Sequence, residues 1–202
     1  MKLTVPVIGI LRGVDEDFFP DLMQTAFEAG LQAMEVTMNT AGAERIVARN
    51  LSRVPNGRLL GIGTVRNTEE AKRALNAGAE FIVTPNTDTR LIEYACGRNV
   101  PVIAGAFSPT EVYTAWSSGA QMVKVFPCGL LGPSYIRELR GPFDDIDLVA
   151  VGGVTLENLR GYFDAGVTAV GAGSALFGKT ALQDRDLKKL SKHVKKFVEA
   201  CP

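Results

Sequence analysis

Three charged residues interrupt runs that are otherwise apolar: Arg12 after the run 5–11, Glu35 within 33–38 and Lys124 within 122–128. Successive side chains of a strand point to opposite faces. Val123 and Val125 therefore take one face, and Met122, Lys124 and Phe126 the other. If that second face is the interior of a barrel, the Lys124 ammonium is desolvated, its pKa falls and the free amine becomes a nucleophile. A nucleophilic amine is what imine formation with a ketone requires. A structural lysine paired to an acid, or one reaching water from a strand end, is the competing reading. Glu35, Thr37 and Asn39 share one parity and make a polar interior face, opposite Met34, Val36 and Met38. A carboxylate beside an amine can shuttle protons; a buried ion pair with no further role is the alternative.

Two glycine clusters add a second kind of chemistry. Gly152-Gly153 falls in the run 148–154, and Gly171-Ala172-Gly173-Ser174 lies in 169–176, ahead of a short helix. Such loops present backbone N–H groups to a phosphate, although close strand–helix packing also uses glycine. Thr64, after Gly61-Ile-Gly63, offers a hydroxyl that could hold a carboxylate, or it merely opens a loop. Nothing near Cys128 marks an activated thiol. The single histidine, His193, stands among lysines on a solvated helix face, which excludes a multi-histidine metal site and argues against a Ser-His-Asp triad. Tyr113 and Trp116 read as packing residues of a helix.

The elements that must position these groups repeat along the chain. Eight apolar runs of strand length occur at 5–11, 33–38, 59–65, 81–86, 101–107, 122–128, 148–154 and 169–176. Several are rich in Val and Ile, as buried parallel strands are. Between them lie helical patterns at 17–30, 67–78, 109–119 and 157–166, and a last one covers 185–200. Asn67 and Ser108 stand as N-caps, Pro109 at the first helical position, and Gly30, Gly78, Gly119 and Gly166 as stops. Eight strand–helix units predict a (β/α)8 TIM barrel with short loops, one domain over 1–202. Each unit has about 25 residues, lean against the about 250 residues of a typical barrel. A doubly wound open sheet would also alternate strands and helices, but no Gly-x-Gly-x-x-Gly follows the first run.

Composition bounds the partners. The 202 residues carry 22 Lys plus Arg and 22 Asp plus Glu, a net charge of zero. No nucleic-acid grip is expected without a basic face, and no membrane partner without an apolar run of about eighteen residues. Three cysteines with no framework or ligand spacing point to a reducing, cytoplasmic setting.

Six segments now stand in one order across nearly the whole chain: Glu35-Val-Thr-Met-Asn39, Gly61-Ile-Gly-Thr64-Val, Ile82-Val-Thr-Pro-Asn86, Lys124-Val-Phe-Pro127, Gly132-Pro-Ser-Tyr-Ile136 and Val151-Gly-Gly-Val-Thr155. Together they resemble the KDPG/KHG aldolase family, class I aldolases that cleave 2-keto-3-deoxy-6-phospho sugar acids and 4-hydroxy-2-oxoglutarate. The resemblance implies Lys124 as the Schiff-base lysine and Glu35 as the acid/base. It implies Thr64 at the pyruvate carboxylate and Arg12 as a substrate-binding arginine, with Pro85 and Phe126 also on the substrate side. It places Gly152, Gly153, Gly173 and Ser174 at the phosphate. It further implies a phosphorylated 2-keto acid as substrate, no metal, no cofactor and a homotrimer. Asn39 and Val151 look closer to the galactonate branch, since the gluconate branch usually has Arg and Thr there. A threonine hydroxyl at 151 can hydrogen-bond one C4 epimer and a valine cannot, a difference of about 1–3 kcal/mol. The chain departs from the galactonate branch at Thr40-Ala41, often Ser-Pro, and at Cys128-Gly129, often two serines. The expected products are pyruvate and D-glyceraldehyde 3-phosphate from a galactonate-type substrate, with cleavage of the gluconate-derived acid or of 4-hydroxy-2-oxoglutarate as alternatives. A metal-free phosphosugar isomerase, epimerase or synthase, and a non-catalytic barrel that binds a phosphorylated metabolite, remain as rivals.

Overall fold

Each apolar run becomes a strand, but a shorter one than its run. The computed structural model describes residues 1–202. In chain order the elements are β1 (Val7–Leu11), α1 (Phe19–Glu28), β2 (Ala33–Thr37), α2 (Ala43–Asn50), β3 (Leu59–Gly63), α3 (Thr68–Asn76), β4 (Ile82–Val83), α4 (Thr89–Cys96), β5 (Val102–Ala106) and α5 (Pro109–Ser117). There follow β6 (Met122–Val125), α6 (Gly132–Arg140), β7 (Leu148–Val151), α7 (Leu159–Asp164), β8 (Ala169–Ala172), α8 (Ser174–Phe177), α9 (Lys179–Gln183) and α10 (Leu187–Glu199). Every strand pairs in parallel with the next, and β8 returns to β1 through Val7 opposite Val170, which closes the barrel. That closure excludes the open doubly wound sheet.

Local chemistry explains most of the boundaries. The Asn67 side chain accepts from the Glu70 N–H at the start of α3. Ser108 and Glu111 cap α5 reciprocally, with Pro109 at its first position. The four glycines expected to stop helices take φ between +83° and +104°, a region closed to residues with a Cβ except at some cost. Two strands end early for identifiable reasons. β4 stops at Val83 because Pro85 has no N–H to give the ladder. β2 stops at Thr37, whose carbonyl accepts from the Thr40 N–H in a turn. Asn39 therefore sits exposed on that turn, and the parity expected to carry it to the interior ends two residues before it.

The apolar side chains form two layers. Met34, Val36, Val123 and Val125 point outward into a large layer between strands and helices. Ile8, Ala33, Phe81, Ile103, Met122 and Val149 fill the lumen, as the strand parity requires. Met1 and Leu3 pack under this lumen cluster. The segment leading to them is held by Gln32, whose Oε1 accepts from Thr4 N at 2.7 Å and Val5 N at 3.0 Å. No helix is long and apolar enough to cross a membrane.

The aromatic residues of α5 depart from expectation. Tyr113 and Trp116 are 54% and 38% exposed rather than packed, because the buried stripe of α5 is Val112 and Ala115. Their rings lie 5.8 Å apart, and Tyr113 stacks on Phe143 at 6.3 Å.

One half-buried arginine joins three segments around the last strands. Arg140 Nε donates to Gly166 O at 2.7 Å, and its Nη1 donates to Ile146 O at 2.6 Å and Phe143 O at 3.2 Å. Arg140→Met keeps the packing volume but leaves these carbonyls without their donor. It is expected to lower the unfolding free energy in urea by about 2 kcal/mol. An unchanged urea midpoint would show that the carbonyls hold their geometry unaided.

Candidate active site at the carboxyl ends of the strands

A cavity of about 480 Å³ opens where the strands end. It is lined by Arg12, Glu35, Thr64, Pro85, Lys124, Phe126, Val151, Gly152, Gly153, Gly173 and Ser174. Of the residues that the resemblance places at the substrate, Asn39 alone is missing: it lies on the exposed turn after β2 and does not line the cavity. The cavity wall also includes Gly171 of the second glycine cluster, together with Ile10 and Thr155, for which the sequence carries no expectation. Ile10 was legible in principle, since it shares its parity with Ile8 in the lumen, and Thr155 ends the Val151–Thr155 segment.

Glu35 and Lys124 reach this cavity from opposite sides of the barrel, on β2 and β6. Glu35 is 1% exposed and Lys124 5%. Their room is made by residues that lack side chains. A Cβ on Gly63 would collide with the Glu35 carboxyl group, and one on Gly61 would lie 2.7 Å from Phe81 Cε1. The two glycines of β3 thus clear space for an aromatic ring below and a carboxyl group above. The Lys124 Nζ lies 4.9 Å from the centre of the Phe126 ring.

Burial moves both titrations toward neutrality. It pushes the Glu35 carboxyl up to about 7, against the opposing pull of the Lys124 and Arg12 charges. It lowers the Lys124 ammonium, against the Glu35 charge and with help from Arg12. Glu35 Oε2 is buried with no hydrogen-bond partner in the protein. That oxygen is not committed to Lys124, so the buried ion pair weighed from the sequence does not consume the carboxyl group. A buried polar atom left unmatched costs free energy and persists where something else gains from it.

Strain collects on the same rim. Thr64 takes φ +56°, a left-handed conformation that is a true outlier for a β-branched residue. Gly152 and Gly153 take φ +93° and +79° in succession. Their turn is fastened by Asn158, which donates through Nδ2 to Gly153 O at 2.8 Å and accepts from Thr155 N at 2.8 Å. The Cys128 thiol donates to Gly152 O at 3.2 Å, and burial raises its pKa, which leaves it a packing group. Gly173 precedes α8, whose first N–H groups have no partner inside the helix. The rim can thus offer backbone donors from two loops, with the Arg12 guanidinium beside them.

Known proteins are similar to this chain in sequence and fold. The model of the family described as KDPG and KHG aldolase matches residues 2–193. A 2-dehydro-3-deoxy-6-phosphogalactonate aldolase of Escherichia coli (strain K12) is 34% identical over 197 residues, 97% of this chain and 96% of that protein. A 2-dehydro-3-deoxy-phosphogluconate aldolase of Treponema pallidum (strain Nichols) is 36% identical over 159 residues, 78% of this chain and 74% of that one. A solved structure described as native KDPGal superposes with a TM-score of 0.92 at 33% identity, covering 99% of this chain and 96% of that chain.

The raised Glu35 titration has a consequence for stability. Its folded-state pKa of about 7 lies above the ordinary value of 4.5, so the folded protein holds this proton where the unfolded chain has lost it. The stability this proton contributes is complete below the unfolded value and is lost as pH rises through the folded one. Glu35→Gln removes the titration. Its stability relative to wild type is expected to climb between about pH 4.5 and about pH 7, by roughly 1–3 kcal/mol, then level off. Urea denaturation across that range reads the difference, and a difference flat with pH would contradict a raised Glu35.

Proposed function

The chain belongs to the KDPG and KHG aldolase family, and from that premise we propose that it is a class I aldolase working through an imine on Lys124. The substrate is a 2-keto-3-deoxy-6-phospho sugar acid of galactonate type, cleaved to pyruvate and D-glyceraldehyde 3-phosphate. The observation that carries this reading is a desolvated lysine sharing one cavity with a carboxyl group whose Oε2 has no partner.

The neutral amine of Lys124 attacks the C2 ketone and forms a carbinolamine. Glu35, directly or through a water, supplies the proton with which the C2 oxygen leaves as water, and an iminium remains. The cation draws electrons from C3. Glu35 or its water then takes the C4 hydroxyl proton, the C3–C4 bond breaks, and its electron pair becomes the enamine. Glyceraldehyde 3-phosphate departs. The enamine takes a proton at C3, and water releases pyruvate and the free lysine. A carboxyl group titrating near neutrality suits these alternating transfers. In this reading Thr64 holds the pyruvate carboxylate, Arg12 binds the substrate, and Gly152-Gly153 and Gly173-Ser174 receive the phosphate. Phe126 and Pro85 wall the three-carbon end.

The galactonate preference is supported by the Escherichia coli relative named for that substrate and by Val151, whose apolar side chain lines the cavity beside Gly152. The Treponema pallidum relative is named for the gluconate-derived acid, which makes the two C4 epimers the pair to compare. Borohydride reduction with pyruvate followed by peptide mapping tests the chemistry. The adduct is expected on Lys124, and Lys124→Ala is expected to abolish both adduct and cleavage. Glu35→Gln is expected to slow cleavage by about two to four decades. Full activity in the lysine variant would end this reading, and faster cleavage of the gluconate-derived epimer would reassign the substrate.

We also propose self-association as a homotrimer in the reducing cytoplasm. Free Cys96, Cys128 and Cys201 suit that compartment. The exposed Phe107, Tyr113, Trp116, Leu130 and Leu131 supply the apolar surface a self-contact needs. Phe107 and Tyr135 continue this patch, with rings 5.8 Å apart. Sedimentation of wild type is expected at three times the 21.6 kDa chain mass, and of Tyr113→Lys/Trp116→Lys at the monomer mass. A monomeric wild type would defeat the proposal.

A further inference from the structure

Beside Lys124 the barrel does something its regular ladder would not. Gly105 on β5 stands opposite Lys124 on β6. On its other side β4 has ended. A continued parallel ladder would bond Gly105 N–H to the Thr84 carbonyl and the Asn86 N–H to the Gly105 carbonyl. Two side chains take these places instead. Gly105 N donates to Thr84 Oγ1 at 2.8 Å, and Thr87 Oγ1 donates to Gly105 O at 2.7 Å. The Thr84 hydroxyl also donates to Asn86 O at 2.6 Å. Thr84 is fully enclosed in the barrel wall.

The substitution of hydroxyls for ladder groups frees the peptide between them to fold inward. The Pro85–Asn86 peptide lies across the interior face of Gly105, where a Cβ would come within 2.7 Å of Asn86 N. Pro85 thereby becomes a wall of the cavity that Lys124 enters.

We infer that Thr84, with Thr87, is a positioning residue for the imine step: the two hydroxyls hold Pro85 inside the barrel mouth, against the space where the three-carbon end of the substrate meets Lys124. The inference rests on the imine chemistry proposed above. Neither threonine touches the reacting atoms. Without the Thr84 hydroxyl, the cheapest way to satisfy Gly105 N–H is the regular ladder, with the Thr84 carbonyl as acceptor and the Asn86 N–H turned to Gly105 O. That arrangement keeps the backbone hydrogen-bonded and leaves Pro85 on the interior parity of Phe81 and Val83, but it lifts the Pro85–Asn86 peptide off Gly105 and draws Pro85 back from Lys124 into the barrel wall. The loss therefore falls on binding of the keto acid more than on the fold.

Exchange of the pyruvate methyl protons with solvent deuterium, followed by NMR at varied pyruvate, reads enamine formation without the aldehyde half of the reaction. Thr84→Val matches the side chain in shape and lacks the hydroxyl. It is expected to raise the pyruvate concentration for half-maximal exchange by about tenfold, with the limiting rate within about twofold of wild type. Thr84→Ser, which keeps the hydroxyl, is expected to stay within about twofold in both. Thr87→Val is expected to shift half-saturation in the same direction by about threefold, and it serves where Thr84→Val does not fold. Half-saturation unchanged in either folded valine variant, or Thr84→Ser impaired as much as Thr84→Val, overturns the inference. Absence of exchange and of a Lys124 adduct in wild type overturns the imine reading itself, and this one with it.

Discussion

A buried amine and a buried carboxyl group that share one cavity without consuming each other set what the rest of this barrel must supply. Removing two charges from water is costly, and their mutual attraction repays it only with close geometry and further hydrogen bonds. Here the carboxyl group keeps an oxygen without a partner. The protein instead meets the cost by shifting both titrations toward the neutral forms. Those are the forms that a nucleophilic amine and a proton-transferring acid require, so the desolvation that penalises the fold also prepares the reaction.

The surrounding structure follows from that constraint. Neutral forms persist only where water is scarce, so the lumen beneath the pair is filled by Ile8, Phe81, Ile103, Met122 and Val149 and closed by Met1 and Leu3. Room for the polar heads must then be carved out of a packed interior, and glycine carves it. Gly63 admits the Glu35 carboxyl group, and Gly105 admits the Pro85–Asn86 peptide beside Lys124. Strain sits above this layer at Thr64, while Gly152-Gly153 turns there through positive φ that glycine adopts freely. The apolar, regular end of the barrel and the strained, polar end thus divide the work of folding and of chemistry.

The fold was legible because its signals are local and repeated. Eight apolar runs, glycine stops and the caps at Asn67 and Ser108 each carry their own physical cause, and short connections allow few topologies besides a closed barrel. The meeting of Glu35 and Lys124 in one cavity was legible for a related reason: a charge within an apolar strand is an anomaly that parity assigns to one face. What escaped depended on where strands stop. The parity that carried Glu35 and Thr37 to the interior failed for Asn39, because β2 gives way to a turn at Thr37. Pro85 could be named as a substrate-side position from the resemblance, but the Thr84 and Thr87 hydroxyls that hold it act across strands on Gly105, 21 and 18 residues further on, and no local pattern records that contact. Tyr113 and Trp116 were misplaced because an aromatic residue is apolar whichever face it occupies, and their helix buries Val112 and Ala115 instead.

The arrangement also separates chemistry from selectivity. Lys124 and Glu35 stand on β6 and β2, and the positions that could distinguish C4 epimers lie elsewhere, with Val151 at the end of β7 as the side chain that faces the cavity. Val151 is buried against Gly171, whose missing Cβ would lie 2.8 Å from its Cγ2. A change of residue at 151 therefore meets β8 and the cavity that Lys124 and Glu35 also line. A hydroxyl gained or lost there changes a binding contact by about 1–3 kcal/mol, enough to choose between epimers, without replacing either ionisable group. A barrel built this way can exchange one sugar acid for another without rebuilding its reactive centre. Relatives named for galactonate- and gluconate-derived substrates at similar identity to this chain are what such independence would produce.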